Sequence, residues 1–253
     1  MTITDDGIRL DAVLDMPGHF SGRCPVVVII HGFSGYKEEP HIVAVSNALN
    51  DIGFATLRAD MYGHGQSDGR FCDHNLYKWI GNALTLIDYA RSLDFASGIY
   101  LCGHSQGGLT VILAAALKHD VIDAVIPLSP AICIPEDARR GDILGIGFDP
   151  ENIPDMVRFP DGKDLGGNYL RIAQTIDVNA AIDRYSGPVL IVHGSEDECI
   201  PVRCSVEASR RYRKADLVLV EGEDHCYNFH LDEVVRAVTS WMRKFSIEGE
   251  ING

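Results

Sequence analysis

Four absences narrow the field. No apolar run approaches the roughly 18 residues of a bilayer-crossing helix, so no membrane partner is expected. The first residues, Met1-Thr2-Ile3-Thr4-Asp5-Asp6, carry neither a basic patch nor an apolar stretch, and no secretory signal is expected. Cys-x-x-Cys and His-Glu-x-x-His spacings are both missing. The seven cysteines, Cys24, Cys72, Cys102, Cys133, Cys199, Cys204 and Cys226, are odd in number and scattered. They fit free thiols in a reducing cytoplasm better than a disulfide framework or a zinc site, and no metal is expected. Positive charge is also scarce: 22 Lys and Arg face 36 Asp and Glu, for a net charge of −14. Such a surface repels polyphosphate and anionic membranes, so nucleic-acid binding is not expected.

The chain that does exist alternates strands and helices. Residues 8–16 alternate apolar and polar positions, the pattern of a half-exposed, antiparallel strand near a sheet edge. Residues 25–30, Pro-Val-Val-Val-Ile-Ile, read as a strand buried on both faces. Helical spacing follows over 40–49, then strand 54–58, then a long amphipathic helix over 76–92. A strand to His104, a helix from about 109 and a strand over 124–128 come next; Pro127 predicts an interrupted ladder there. After a gap the alternation resumes with strand 188–192, helix 202–213, strand 216–220 and helix 231–245, and residues 248–253 are expected to fray. This is an α/β fold with a mostly parallel central sheet flanked by helices, in one domain covering 1–253. Residues 129–186 break the rhythm: they are studded with proline and glycine, and only 169–176 read as firmly helical. So long a stretch exceeds an ordinary connection and is read as a small inserted cap.

The chemistry centres on Gly103-His104-Ser105-Gln106-Gly107-Gly108. A serine with glycines two positions before and after it, between a strand and a helix, is a nucleophile elbow. Its strained backbone tolerates only neighbours with almost no side chain. A serine hydroxyl needs a base, and a histidine base needs an acid to fix its tautomer. His225 follows the last strand, in Glu221-Gly222-Glu223-Asp224-His225. The acid lies in the loop after strand 188–192, where Asp197 competes with Glu196 and Glu198 and is favoured by its shorter side chain. Charge building on a carbonyl oxygen needs N–H donors, expected from Gln106 at the head of its helix and from Phe33 in the His31-Gly32-Phe33 loop. Gly63-His64-Gly65 offers no catalytic atom and is read as structural.

His31-Gly32-Phe33, Asp60-x-x-Gly63-His64-Gly65-x-Ser67, the elbow, His193-Gly194-x-x-Asp197-x-x-Ile200-Pro201 and the histidine after Val220 together resemble the α/β-hydrolase superfamily. Within it the chain most resembles bacterial cinnamoyl (feruloyl) esterases, through its compact size, the Phe33 loop, Gly-His-Ser-Gln-Gly-Gly and the Gly167-Asn168-Tyr169 to Gln174 segment. The resemblance implies Ser105 as nucleophile, His225 as base and Asp197 as its orienting acid, with no cofactor. It also implies that the cap covers an aromatic acyl group whose phenolic hydroxyl meets Tyr169, with Asp137 and Asp142 as further candidates for that contact. The expected activity is hydrolysis of small hydroxycinnamate esters by a cytoplasmic monomer or homodimer. Two other readings stay open: a monoacylglycerol-lipase-like or general short-chain carboxylesterase, and a non-catalytic binding protein on the same fold.

Overall fold

Cys24–Ile30 is buried along its whole length. Val26, Val28 and Ile30 point into one hydrophobic layer, Val27 and Ile29 into another, so this strand has helices to cover on both sides. The computed structural model, which describes residues 1–20 and 22–246, shows how. Its strands, numbered along the chain, are β1 (Thr2–Asp5), β2 (Ile8–Asp15), β3 (Cys24–Ile30), β4 (Ala55–Ala59), β5 (Ala96–His104), β6 (Ile122–Leu128), β7 (Asp142–Ile143), β8 (Ile146–Gly147), β9 (Met156–Arg158), β10 (Asp164–Gly166), β11 (Val189–Gly194) and β12 (Ala215–Val220). The helices are α1 (Pro40–Asp51), α2 (Leu76–Ser92), α3 (Gln106–Leu117), α4 (Ile134–Arg140), α5 (Gly167–Gln174), α6 (Val178–Arg184), α7 (Val202–Arg211) and α8 (Leu231–Met242).

Eight strands form one sheet in the order β1-β2-β4-β3-β5-β6-β11-β12. β1 and β2 are antiparallel to their neighbours; every pairing from β4 to β12 is parallel. The alternating stretch 8–16 therefore is an antiparallel strand next to the edge, and β1, too short to show a period, takes the edge itself. Pro127 pairs with Gly103 of β5. Its missing N–H falls on the β11 side, where the paired residues are Val125 and Leu128.

α2, α3 and α6 cover one face, with α3 buried at every position from Gln106 to Ala116. α1 and α8 cover the other. α2 starts where the Asn75 side chain accepts the Lys78 N–H, and its apolar stripe buries Trp79, Ala83, Leu86 and Ile87.

Between β6 and β11 the chain makes α4, the hairpin β7–β8, the hairpin β9–β10, α5 and α6. One firm helix was expected here and the structure has three. α4 and α6 have seven residues each, too few to display a helical period, and they rest on tertiary contacts: α4 on α5, α6 on α3. α4 ends at Gly141 in the left-handed region, and α6 begins where Asp177 accepts the Ala180 N–H. The tail expected to fray lies outside the described residues.

Candidate active site

β5 ends at His104 and α3 begins at Gln106, so Ser105 alone makes the turn, at φ 55° and ψ −118°. That backbone is costly for a serine and persists because its surroundings leave no alternative. A Cβ on Gly103 would lie 2.3 Å from the Gly107 carbonyl oxygen, and one on Gly107 would lie 2.3 Å from that of Ile30. The two glycines let β5, α3 and β3 close around the serine.

The strands β11 and β12 run parallel, so the loops at their carboxyl ends emerge on the same side as the elbow. Those loops carry Asp197 and His225. His225 Nε2 lies 2.9 Å from Ser105 Oγ, and His225 Nδ1 lies 2.7 Å from Asp197 Oδ2. An ionised carboxylate can only accept, so Nδ1–H donates to Asp197 and leaves Nε2 free to accept the Ser105 hydroxyl. Glu196 and Glu198, the competing acids, are exposed, whereas the Asp197 side chain is fully buried. Burial pushes the Asp197 pKa up, but donors from His193 and His225, the field of His225 and the N–H of Ile200 outweigh it and hold the carboxyl well below the usual range. Asp224 instead caps its own loop, accepting from Cys226, Asn228 and the Asn228 amide.

Several buried groups around this relay lie outside the sequence reading. His193 Nε2 sits 3.0 Å from the same Asp197 Oδ2, while its Nδ1 faces Ser205 Oγ at 2.7 Å. His104, next to the nucleophile, donates from Nε2 to the backbone oxygen of His225 at 2.8 Å and packs edge-on against His41, ring centroids 4.3 Å apart. Glu39 lines the cleft, and burial pushes its carboxyl pKa up while the field of His225 draws it down. The usable signals were adjacency, with His104 beside Ser105 and His193 four residues before Asp197. Neither spacing says which way a ring points.

The loop expected to supply an N–H donor packs directly on the elbow: a Cβ on Gly32 would lie 3.2 Å from Ser105 Cβ. Its carbonyls are held from behind. His31 Nδ1–H donates to the Gly32 oxygen at 2.8 Å, its Nε2 accepts the Met61 N–H at 3.0 Å, and His64 Nε2–H donates to the Phe33 oxygen at 2.5 Å. Asp60 anchors the turn that carries His64, accepting from the Lys37 N–H, the Lys37 ammonium and the Gln66 N–H. The Phe33 ring is clamped edge-on by Phe71, His74 and Tyr169. Gln106 occupies the first turn of α3, where backbone N–H groups have no intrahelical acceptor.

Ser105 and His225 open on a cleft of about 520 Å³ lined also by Phe33, Asp137, Asp142 and Leu144. The two aspartates raised by resemblance thus share the cleft with the serine. Tyr169 does not. It is 0% exposed, and its hydroxyl donates to Gln106 Oε1 at 2.6 Å. The expectation of a contact from Tyr169 to a substrate hydroxyl is therefore corrected: the helix α5 turns this side chain into the core, where its one donor is already engaged.

A strained serine after a parallel strand, an acid and a histidine after the parallel strands β11 and β12, and a mostly parallel eight-stranded sheet place the chain in the α/β-hydrolase family, to which it belongs. A family profile described as "Serine aminopeptidase, S33" matches residues 23–146. The structure of Est1E from Butyrivibrio proteoclasticus with ferulic acid bound is 57% identical in sequence, with a TM-score of 0.95, covering 96% of this chain and 97% of that one. The human mitochondrial palmitoyl-protein thioesterase ABHD10 is 24% identical over 81% of this chain and 68% of its own length. A monoacylglycerol lipase from Paleococcus ferrophilus shares the fold at 22% identity and a TM-score of 0.70, covering 93% and 98% of the two chains.

Proposed function

We propose that the protein is a serine carboxylesterase acting on hydroxycinnamate esters of the ferulate type. The observation that carries this reading is the unbroken relay Ser105–His225–Asp197 at the floor of a cleft sized for a small ligand, joined to its 57% identity with a protein solved with ferulic acid bound. Ser105 Oγ attacks the ester carbonyl while His225 Nε2 takes its proton, and Asp197 stabilises the imidazolium that forms. The N–H groups of Phe33 and Gln106 receive the oxyanion. His225 then returns the proton to the departing alcohol, and water releases the acid by the same steps reversed. Asp137 and Asp142 are the acceptors proposed for a phenolic hydroxyl, and residues 129–186 act as the cap over the acyl group. The chemistry draws on no cofactor. No described helix is long and apolar enough to cross a membrane; the proposed setting is the cytoplasm, as a monomer or homodimer.

The test compares methyl ferulate with aliphatic methyl esters, so that the leaving group is constant. Preference for ferulate in kcat/KM supports the proposal; equal or better turnover of the aliphatic esters replaces it with a lipase-like or general esterase. Ser105→Ala abolishes turnover with an unchanged thermal melt, whereas a variant that still turns over would sink the acyl-enzyme mechanism.

A further inference from the structure

Asp197, Cys199 and His225 each present one ligand atom, and the three atoms lie within 4.8 Å of one another. They differ in access. The Asp197 side chain is fully buried, that of His225 is 13% exposed, and Cys199 is an exposed free thiol. The carboxylate is thus enclosed, the His225 ring is partly open to solvent, and the Cys199 thiol lies at the surface. The charges around the thiol are all negative: the fields of Asp197, Asp224 and Glu198 reach Cys199, and that of Glu39 reaches His225.

The donor set is one imidazole nitrogen, one sulfur and one carboxylate oxygen. Hard cations such as magnesium and calcium take oxygen almost exclusively, whereas borderline-soft divalent ions take this mixture. Tetrahedral zinc bonds of about 2.0–2.3 Å hold ligand atoms roughly 3.3–3.6 Å apart, so Asp197 Oδ2 and His225 Nδ1, 2.7 Å apart, open slightly as their hydrogen bond is lost, and a rotation of the exposed Cys199 side chain brings the sulfur in.

We propose that Asp197, Cys199 and His225 form an inhibitory site for zinc and similar thiophilic divalent cations. Nδ1, the nitrogen on the Asp197 side of the ring, is the one that meets the metal. The thiol proton leaves to solvent as the sulfur coordinates. The proton displaced from Nδ1 is carried on Nε2, so the ring stays neutral but in its other tautomer. Nε2 then donates to Ser105 Oγ instead of accepting from it, and the base is lost while every triad residue stays in place. The inhibitory consequence rests on the function proposed above; the binding of metal does not.

Two readouts keep these apart. Rates of methyl ferulate hydrolysis at buffered free Zn²⁺ should fall reversibly and recover with a chelator. Cys199→Ser should keep the basal rate and need about tenfold or more Zn²⁺ for the same inhibition. Independently of turnover, Co²⁺ added to Ser105→Ala should produce a thiolate-to-metal absorption band that disappears when Cys199→Ser is added. Equal zinc sensitivity of the parent and Cys199→Ser overturns the proposal, as does a missing thiolate band, or relief by Cys226→Ser in place of Cys199→Ser. If no ester is hydrolysed at all, the functional reading fails and the Co²⁺ band still decides the metal site.

Discussion

A single hydroxyl separates two accounts of Tyr169. As part of an esterase-like Asn168-Tyr169 segment it resembles a substrate ligand; in the structure it is wholly buried and its hydroxyl donates to Gln106, the residue after the nucleophile. Tyr169→Phe removes that donor and leaves a buried acceptor on Gln106, which already has an unpartnered Nε2. The expected cost is about 1–3 kcal/mol of stability in urea unfolding, with KM for methyl ferulate unchanged. A large rise in KM at unaltered stability would return Tyr169 to the binding site. The sequence carried the identity of Ser105, Asp197 and His225 because their chemistry ties each residue type to a strand end. It could not carry the direction of Tyr169, because an amphipathic helix face reads the same whether it covers a core or a ligand.

At the scale of elements, the elbow depends on how closely three of them approach. β3 and α3 meet so tightly that a methyl group on Gly107 would lie 2.3 Å from the Ile30 oxygen and 2.4 Å from that of His31. Neither neighbour is a flexible side chain; both are backbone, of the last residue of β3 and of the residue after it. Gly107→Ala is therefore expected to cost roughly 3 kcal/mol or more and to abolish activity. Gly147→Ala, where nothing lies within 4 Å, serves as the control and should stay within about 0.5 kcal/mol of the parent. Comparing the two melts checks the argument; similar melts would refute it. The same scale shows where periodicity stops informing. α2 was legible over its full span because seventeen residues repeat a stripe. α4, α6 and the two- and three-residue strands from β7 to β10 are too short to repeat anything, so their form comes from what they pack against.

The whole molecule buries an unusual set of histidines. Burial lowers the pKa of His31 and His74 to about 3 and of His41 to about 4, and it also lowers those of His64 and His104, neighbouring histidines adding to the effect on His31, His41, His74 and His104. All are neutral when folded and would titrate near 6.5 when unfolded. Their folded values lie below the unfolded one, so the unfolded chain takes up protons first as pH falls. The stability they confer is complete above about pH 6.5 and drains away as pH falls from there toward the folded values, about pH 4 for His41 and about pH 3 for His31 and His74, at up to about 1.4 kcal/mol per pH unit for each group. Thermal melts taken from pH 8 to pH 4.5 should be level at first and then drop steeply below pH 6.5. A melting temperature unchanged between pH 6.5 and pH 5 would show that these rings are not neutral in the fold.

By itself the sequence determined the α/β class, the parallel core, the elbow and the order serine, acid, histidine. Each of these is written in local terms: β-branched runs, a helical stripe, glycines where no side chain fits, one chemical type per strand end. Only the tertiary structure decided that His193 shares the Asp197 carboxylate with His225, that the Asp60–His64 turn braces the Phe33 loop from behind, and that Tyr169 belongs to the core. Those are contacts between residues far apart in the chain, set by strand register and side-chain direction, and no local pattern contains either.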